Sequence, residues 1–308
     1  MKTNILLAIN ITLMYSAPLI FGALGSVISE RSGVINLAIE GIMTIGAFAA
    51  ATAAYYTGNP WLGFIAGGIF GAILSIILAA ASVSFKSNQS ITGIALNFLG
   101  PGLALFFCRI IFDGATMTPA VPSLPKIFSF IDNINDYPTL SLLNIDSTSV
   151  IAFIFVILMY IFFYKTKWGL RVTAVGEHPA AADTLGVNVS RVRYLAVIAS
   201  GFFAGLGGAA CSLAIVSNFR PSIIAGKGFI AIAAVIFGKW TPHGAFGACI
   251  LFGFAQALVV LIGATNIPIP GQIISMLPYV LTIAVLILFV GKAVAPRASG
   301  QPYEKGKR

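Results

Sequence analysis

The chain has 308 residues; 58% are hydrophobic, only 9% are charged, and its mean hydropathy is +0.97. Soluble domains carry roughly 25% charged residues and bury only about three quarters of their chain surface at this length, so a cytosolic enzyme, a nucleic-acid binder and a disulfide-stapled secreted module are excluded. The net charge of +9 reflects membrane orientation, because its basic residues cluster in a few segments between apolar runs.

The expected fold is all-α, a polytopic transmembrane helical bundle. A membrane helix needs about 20 apolar residues. Such runs at 4–28, 37–57, 61–85, 91–111, 148–164, 194–217, 228–238, 244–263 and 272–291 predict about nine spans, with eight to ten as the range. The first run is too long for a signal-peptide core and has only Lys2 as a basic flank, so it is read as a retained span. The run 228–238 holds only 11 residues and follows Gly226 and Lys227. It reads as a half-helix or a re-entrant piece, which membranes tolerate only inside protein or beside a cavity.

Segment 165–193 carries Lys165, Lys167, Arg171, Arg191 and Arg193, and the tail 292–308 carries Lys292, Arg297, Lys305, Lys307 and Arg308. Both are expected in the cytoplasm. The loop 112–147 has Asp113, Asp132, Asp136 and Asp146 against Lys126 alone, and is expected outside, as is the N-terminus. Residues 1–308 form one membrane domain on this reading. The rows Gly63, Gly67, Gly71 and Gly201, Gly205, with Ser200, Ala204, Gly208 beside the second, are candidate helix-packing faces.

Catalytic motifs are missing. No Gly-rich phosphate loop ending in Gly-Lys-Ser/Thr occurs, nor a Gly-x-Ser-x-Gly elbow, nor a His-Glu-x-x-His pair. Cys108, Cys211 and Cys249 lie apart in apolar runs and suit neither disulfides nor zinc. His178 and His243 are far apart in sequence, so no metal site is expected. The missing constellations disfavour an enzyme, and no bound cofactor is expected.

Three segments stand out. In Glu30–Gly41, Gly33 and Gly41 bracket a stretch that breaks the helix or forms an ordinary turn, and Glu40 directly precedes an apolar run, where a charge is expensive. In Gly169–Val187, Pro179 suits a first helical turn, the alanines favour helix, and Gly186 suits the left-handed position after its end. This predicts a helix over 179–185, too short to stand alone in water. It therefore needs something to pack on, and a soluble partner is the obvious candidate. Phe237–Gly247 reads as a tight turn between two membrane helices.

These residues carry a family resemblance. Glu30–Gly41 followed by Met43 and Gly46-Ala47-Phe48, the run Ala174-Val175-Gly176-Glu177-His178-Pro179 with Ala181, Gly186 and Val187, and the turn from Phe237 to Gly247 resemble the inner-membrane permease subunits of ABC importers. The group is that of branched-chain amino-acid, ribose-type sugar and nucleoside permeases, and the N-terminal run looks most like the nucleoside branch. Relatives often carry Asn at the position of His178, where Asn is the better helix cap.

The resemblance implies a type II ABC importer-like bundle in the cell inner membrane. It implies separate cytoplasmic ATPase subunits that use ATP and Mg, a second and unlike permease, and an extracytoplasmic solute-binding protein. Gly176, Glu177, His178, Pro179, Ala180, Ala181, Asp183 and Gly186 are the implied coupling residues. For a small, polar, ring-bearing solute such as a nucleoside, Asn36, Glu40, Gln89, Thr92, Asn97 and Phe98 are path candidates, as amides, hydroxyls, a carboxylate and an aromatic ring in or near spans. Branched-chain amino acids or simple sugars are the alternative solutes. An ion-coupled secondary transporter is the alternative class, with Glu40 as its one candidate coupling carboxylate.

Overall fold

The computed structural model describes residues 2–129, 144–263 and 294–304, with 276, 278, 280, 283 and 284. Its helices are α1 (Lys2–Arg31), α2 (Ile39–Thr57), α3 (Pro60–Ala79), α4 (Gln89–Ile111), α5 (Ser147–Lys165), α6 (Lys167–Glu177), α7 (Pro179–Thr184), α8 (Val189–Ala210), α9 (Lys227–Phe237) and α10 (Pro242–Gly263). Wider π-type turns extend α3 through Ala80–Ser84 and α8 through Cys211–Val216. Among the described residues there is no sheet, only one isolated bridge between Lys126 and Asp146.

Helix starts follow local chemistry. Asn59 accepts from Trp61 N at 2.9 Å with Pro60 in the first turn, Asn88 accepts from Ser90 N at 3.0 Å, and Asn188 accepts from Arg191 N at 3.0 Å. Thr166 caps α6 in the same way through Gly169 N.

Six helices are long and apolar enough to cross a membrane: Ile5–Arg31, Pro60–Ser84, Gln89–Ile111, Ser147–Lys165, Val189–Val216 and Pro242–Gly263. They match six of the nine expected runs. Run 37–57 is α2, whose helix starts only at Ile39; it lies at the centre, with thirteen of its 19 residues buried. Protein surrounds α2, so alanine and glycine serve where a lipid-facing helix needs larger apolar groups. Run 228–238 is the short helix α9, and run 272–291 lies outside the continuous described residues.

The small-residue rows mesh. A Cβ on Gly71 would lie 2.4 Å from Gly201 O, one on Gly46 would lie 2.5 Å from the Gly205 Cα, and one on Gly208 would lie 1.8 Å from Met43 O. Helices α2, α3 and α8 therefore touch backbone to backbone, where dispersion contacts accumulate without any hydrophobic drive. Two ends of the bundle result. A basic end gathers 30–34, 165–188, 238–241 and 294–304, while 118–124 pairs with 213–219 toward the opposite end through Thr118 N to Phe219 O and Leu124 N to Leu213 O.

Candidate functional site

Two places carry polar chemistry, one inside the bundle and one at the basic end. The first begins where α1 stops. Gly33 takes φ +90 and the chain runs on without helical structure through 34–36 before α2 starts at Ile39. Broken backbone at depth must find partners, and side chains supply them. Ile35 N donates to Gln89 Oε1 at 2.8 Å, Asn97 Nδ2 donates to Leu37 O at 2.7 Å, and Gly41 N donates to Asn97 Oδ1 at 2.9 Å. Asn36 accepts from Ala38 N at 3.0 Å and donates to Ser200 Oγ at 2.8 Å. Ser200 is the twelfth residue of α8, about 16 Å along it at 1.5 Å per residue.

A second break faces the first. After α8 the chain passes through Ser217 (φ 57) and a non-helical stretch to Gly226 (φ 86), and only then starts α9. Phe219 in this stretch packs edge-on against Phe48 of α2 at 5.3 Å. Glu40 joins the breaks. Gly226 N donates to its Oε1 and Gly228 N to its Oε2, each at 2.7 Å. A carboxylate at a helix N-terminus satisfies orphan amides and meets the positive end of the helix dipole. A Cβ on Gly228 would come within 2.6 Å of Glu40 N, so only glycine permits this approach. The other end of α9 is fixed too: Trp240 Nε1 donates to the buried Glu30, and Arg31 Nε donates to Trp240 O at 2.7 Å. With 11 residues, α9 is about 16 Å long and reaches from the break to the basic end.

The structure thus brings together Asn36, Glu40, Gln89 and Asn97. It separates Thr92 and Phe98 from them: Thr92 bonds Ser87 and Asn88 at the start of α4, and Phe98 is 78% exposed on its outer side. Gln89 is buried, and its Nε2 has no hydrogen-bond partner. Gly226, Gly228 and Ser200 belong to the cluster and, like Trp240 at the far end of α9, were not among the expected site residues. A glycine on each side of Lys227, just before a short apolar run, is the signal that could have found the first two.

The basic end presents α6 and α7. Gly176 seats α6 on the end of α1, since a Cβ there would lie 2.1 Å from Arg31 O. Glu177 receives Arg297 N at 3.5 Å, and His178 is extended (φ −142) without a side-chain cap bond. Pro179 opens α7, which runs to Thr184, one residue short of the expected 179–185. Gly186 takes φ +82 and donates to Asp183 O at 2.9 Å, while Val187 N donates to Ala182 O at 3.0 Å, so the expected glycine stop is observed. Ala182 is the buried residue of α7; Ala180, Ala181, Thr184 and Gly186 are exposed, and Leu185 is 85% exposed.

Residues 294–304 cross this end as a strap. Ala298 N donates to Gly176 O at 2.9 Å, and Gly300 N donates to Gly33 O at 3.2 Å. Arg193, which reads in sequence as one more solvated charge, is buried beneath the strap and donates through Nη1 to Gln301 O at 2.9 Å. Desolvation first, and the Asp183 carboxylate of α7 second, push the Tyr303 hydroxyl pKa up. Among the described residues, no group of three or more His, Cys, Asp or Glu side chains is placed to hold a metal.

Residues 8–289 match the family model "Branched-chain amino acid transport system / permease component". Among curated relatives, the guanosine ABC transporter permease protein NupQ of Bacillus subtilis is 44% identical, covering 96% of each chain. The nucleoside ABC transporter permease protein NupC of Lactococcus lactis is 40% identical, again over 96% of each. A Haloferax volcanii protein described provisionally as a glucose ABC transporter permease, TsgC13, is 36% identical over 90% of each.

Proposed function

The chain belongs to the branched-chain amino acid transport system permease family and is an ABC importer permease subunit for a small polar solute in the inner membrane; from that premise we propose that the solute is a nucleoside. The observation that carries this is the 44% identity to a guanosine permease across 96% of both chains, joined by the 40% relative described for nucleosides. The relative described for glucose favours a sugar as the second reading. Uptake of labelled guanosine, challenged with excess unlabelled nucleosides, glucose and leucine, separates them. Competition by nucleosides alone is expected, and competition by glucose alone would overturn the proposal.

The solute path runs beside the paired helix breaks. Asn36, Glu40 and Asn97 hold the broken backbone open, and the buried Gln89 Nε2 offers the solute a hydrogen-bond donor. Thr92 and Phe98 belong to the flank of α4. Glu40 spends both oxygens on α9, which argues against its cycling protons in an ion-coupled transporter. Uptake that survives loss of the proton gradient and ceases with deletion of the cognate ATPase is the expected pattern.

The basic end faces the cytoplasm. There α7, with Gly176, Glu177, His178 and Pro179 before it, Ala180, Ala181 and Asp183 within it and Gly186 after it, docks on an ATPase subunit and receives its closure. ATP and Mg act on that partner, and this chain holds no nucleotide itself. Small side chains at Ala180 and Ala181 and the exposed Leu185 support close docking. A second, unlike permease completes the path, as the resemblance implies. The end bearing 112–129 and 144–146 faces outward, toward a solute-binding protein.

A further inference from the structure

Helix α6 turns back against the end of α5. Thr166 is extended between them, and a Cβ on Gly169 would lie 2.1 Å from Phe162 O, so the two helices meet backbone to backbone. This turn leaves a groove of about 330 Å³ beside α6. Ile28 of α1, Phe162 of α5, Trp168 and Val172 of α6, and Leu195 and Ala199 of α8 line it, and the lining is almost wholly apolar. Leu195 is 59% exposed, so the groove opens to the outside of the bundle. Along α6, Gly169, Val175 and Gly176 are buried, while Lys167, Trp168, Leu170 and Arg171 are exposed. A helix that shows tryptophan, leucine and cations together suits the bilayer interface.

The rim of the groove is cationic. Lys165 and Lys167 flank the turn at Thr166, and the Arg171 guanidinium lies over the Trp168 ring, 5.1 Å from its centre. No acidic residue occurs between Lys165 and Gly176. Among the described residues, none of these three cations is in an ion pair. The start of α6 adds the positive end of a helix dipole, which favours an anion beside it, and no acidic side chain occupies its first turn.

We propose that this groove binds one anionic phospholipid, its acyl chain against Phe162, Leu195 and Ala199 and its phosphate held by Lys167 and Arg171. Charge selects the headgroup. A zwitterionic lipid brings a further cation to a rim that already holds three, whereas a glycerol headgroup brings the negative charge alone. The lipid fastens α6, and with it the chain leading into α7, to the membrane surface. The site lies apart from the solute path. The cytoplasmic placement of the basic end proposed above decides only which leaflet supplies the lipid.

The test uses the complete transporter in detergent, titrated with dioleoylphosphatidylglycerol or dioleoylphosphatidylcholine, and counts the lipids retained by native mass spectrometry. The parent is expected to retain phosphatidylglycerol in preference to phosphatidylcholine. In the variant carrying Lys167→Gln and Arg171→Gln, the phosphatidylglycerol needed for half occupancy is expected to rise at least about tenfold, since each cation near a lipid surface adds to anion attraction. Both positions are exposed, so this variant keeps the fold. Ala199→Phe, which fills the groove and leaves the cations in place, is expected to lose the same lipid. Arg109→Gln, at the far end of α4, is expected to match the parent. Equal retention of the two lipids by the parent would show a groove without headgroup recognition and overturn the proposal. So would parental retention in either variant: in the first because Lys167 and Arg171 then hold no phosphate, in Ala199→Phe because no chain then enters the groove.

Discussion

Glu40 and Gly228 lie 188 residues apart in sequence, yet Gly228 N donates to Glu40 Oε2 at 2.7 Å, with Gly226 N on the other carboxylate oxygen at the same distance. One side chain at the start of α2 thereby fixes the start of α9 inside the bundle, and two interrupted segments become one unit.

Removing that carboxylate should loosen the unit. Loss of a helix cap costs about 1 kcal/mol, and hydrogen bonds to a charged group about 1.5–3 kcal/mol. Glu40→Ala is expected to lower the unfolding midpoint in detergent by several degrees, read by circular dichroism. Glu40→Gln, which keeps one acceptor, is expected to fall between. A midpoint unchanged in both would show that the cap does not support α9.

Backbone contact between α2 and α8 leaves no room for a methyl group. A Cβ on Gly208 would lie 1.8 Å from Met43 O, whereas Gly247 in α10 has nothing within 4 Å. Overpacking costs about 1–3 kcal/mol, so Gly208→Ala is expected to reduce the yield of folded, monodisperse protein in size-exclusion chromatography. Gly247→Ala is expected to match the parent.

Asn97 serves two broken backbone groups at once, donating to Leu37 O and accepting from Gly41 N. Asn97→Asp keeps the acceptor and loses the donor. Import should fall by about tenfold or more, because a buried carbonyl loses its partner beside a carboxylate. Asn97→Asp importing at the parental rate would separate the break from transport.

Asp146 precedes α5 and is buried, and desolvation, only partly opposed by Lys126, raises its pKa. A raised pKa means that the fold favours the protonated acid. Its contribution to stability is complete below the ordinary carboxylate pKa and is lost as pH rises through the folded value. Asp146→Asn, which imitates the protonated form, is expected to raise the unfolding midpoint at pH 7, with the gain shrinking toward pH 4. A gain independent of pH would exclude titration of Asp146 as its source.

What could be read from sequence was local. Pro179 and Gly186 mark the ends of α7 because first turns and left-handed stops each favour particular residues, and the structure places the helix one residue from where they put it. Gly33 and Gly41 bracketed a stretch that could break the helix or form an ordinary turn, and the structure shows the break. What Glu40 does was hidden, because its partners are amides of a segment nearly two hundred residues away. Gln89 and Asn97 were legible as polar residues in a span, but their attachment to the backbone of 35–41 was not. The tail 292–308, which contains 294–304, resembles a solvated basic end in composition. Its hold on Gly33, Gly176 and Arg193 runs mainly through backbone groups, which leave no mark on residue identity. Helix number was obscured for a related reason: α9 is apolar like a span but half the length.

The contact between α7 and an ATPase subunit can be read directly by cross-linking. Cys108, Cys211 and Cys249 are buried, so a cysteine placed at the exposed Leu185 offers a defined reaction site on the intact transporter, and Tyr56→Cys offers one at the opposite end. Leu185→Cys is expected to give a cross-linked product containing the ATPase subunit, more strongly with ATP bound, and Tyr56→Cys none. An ATPase adduct from position 56, or none from position 185 in a transporter that still imports, would contradict the docking of α7 on its ATPase.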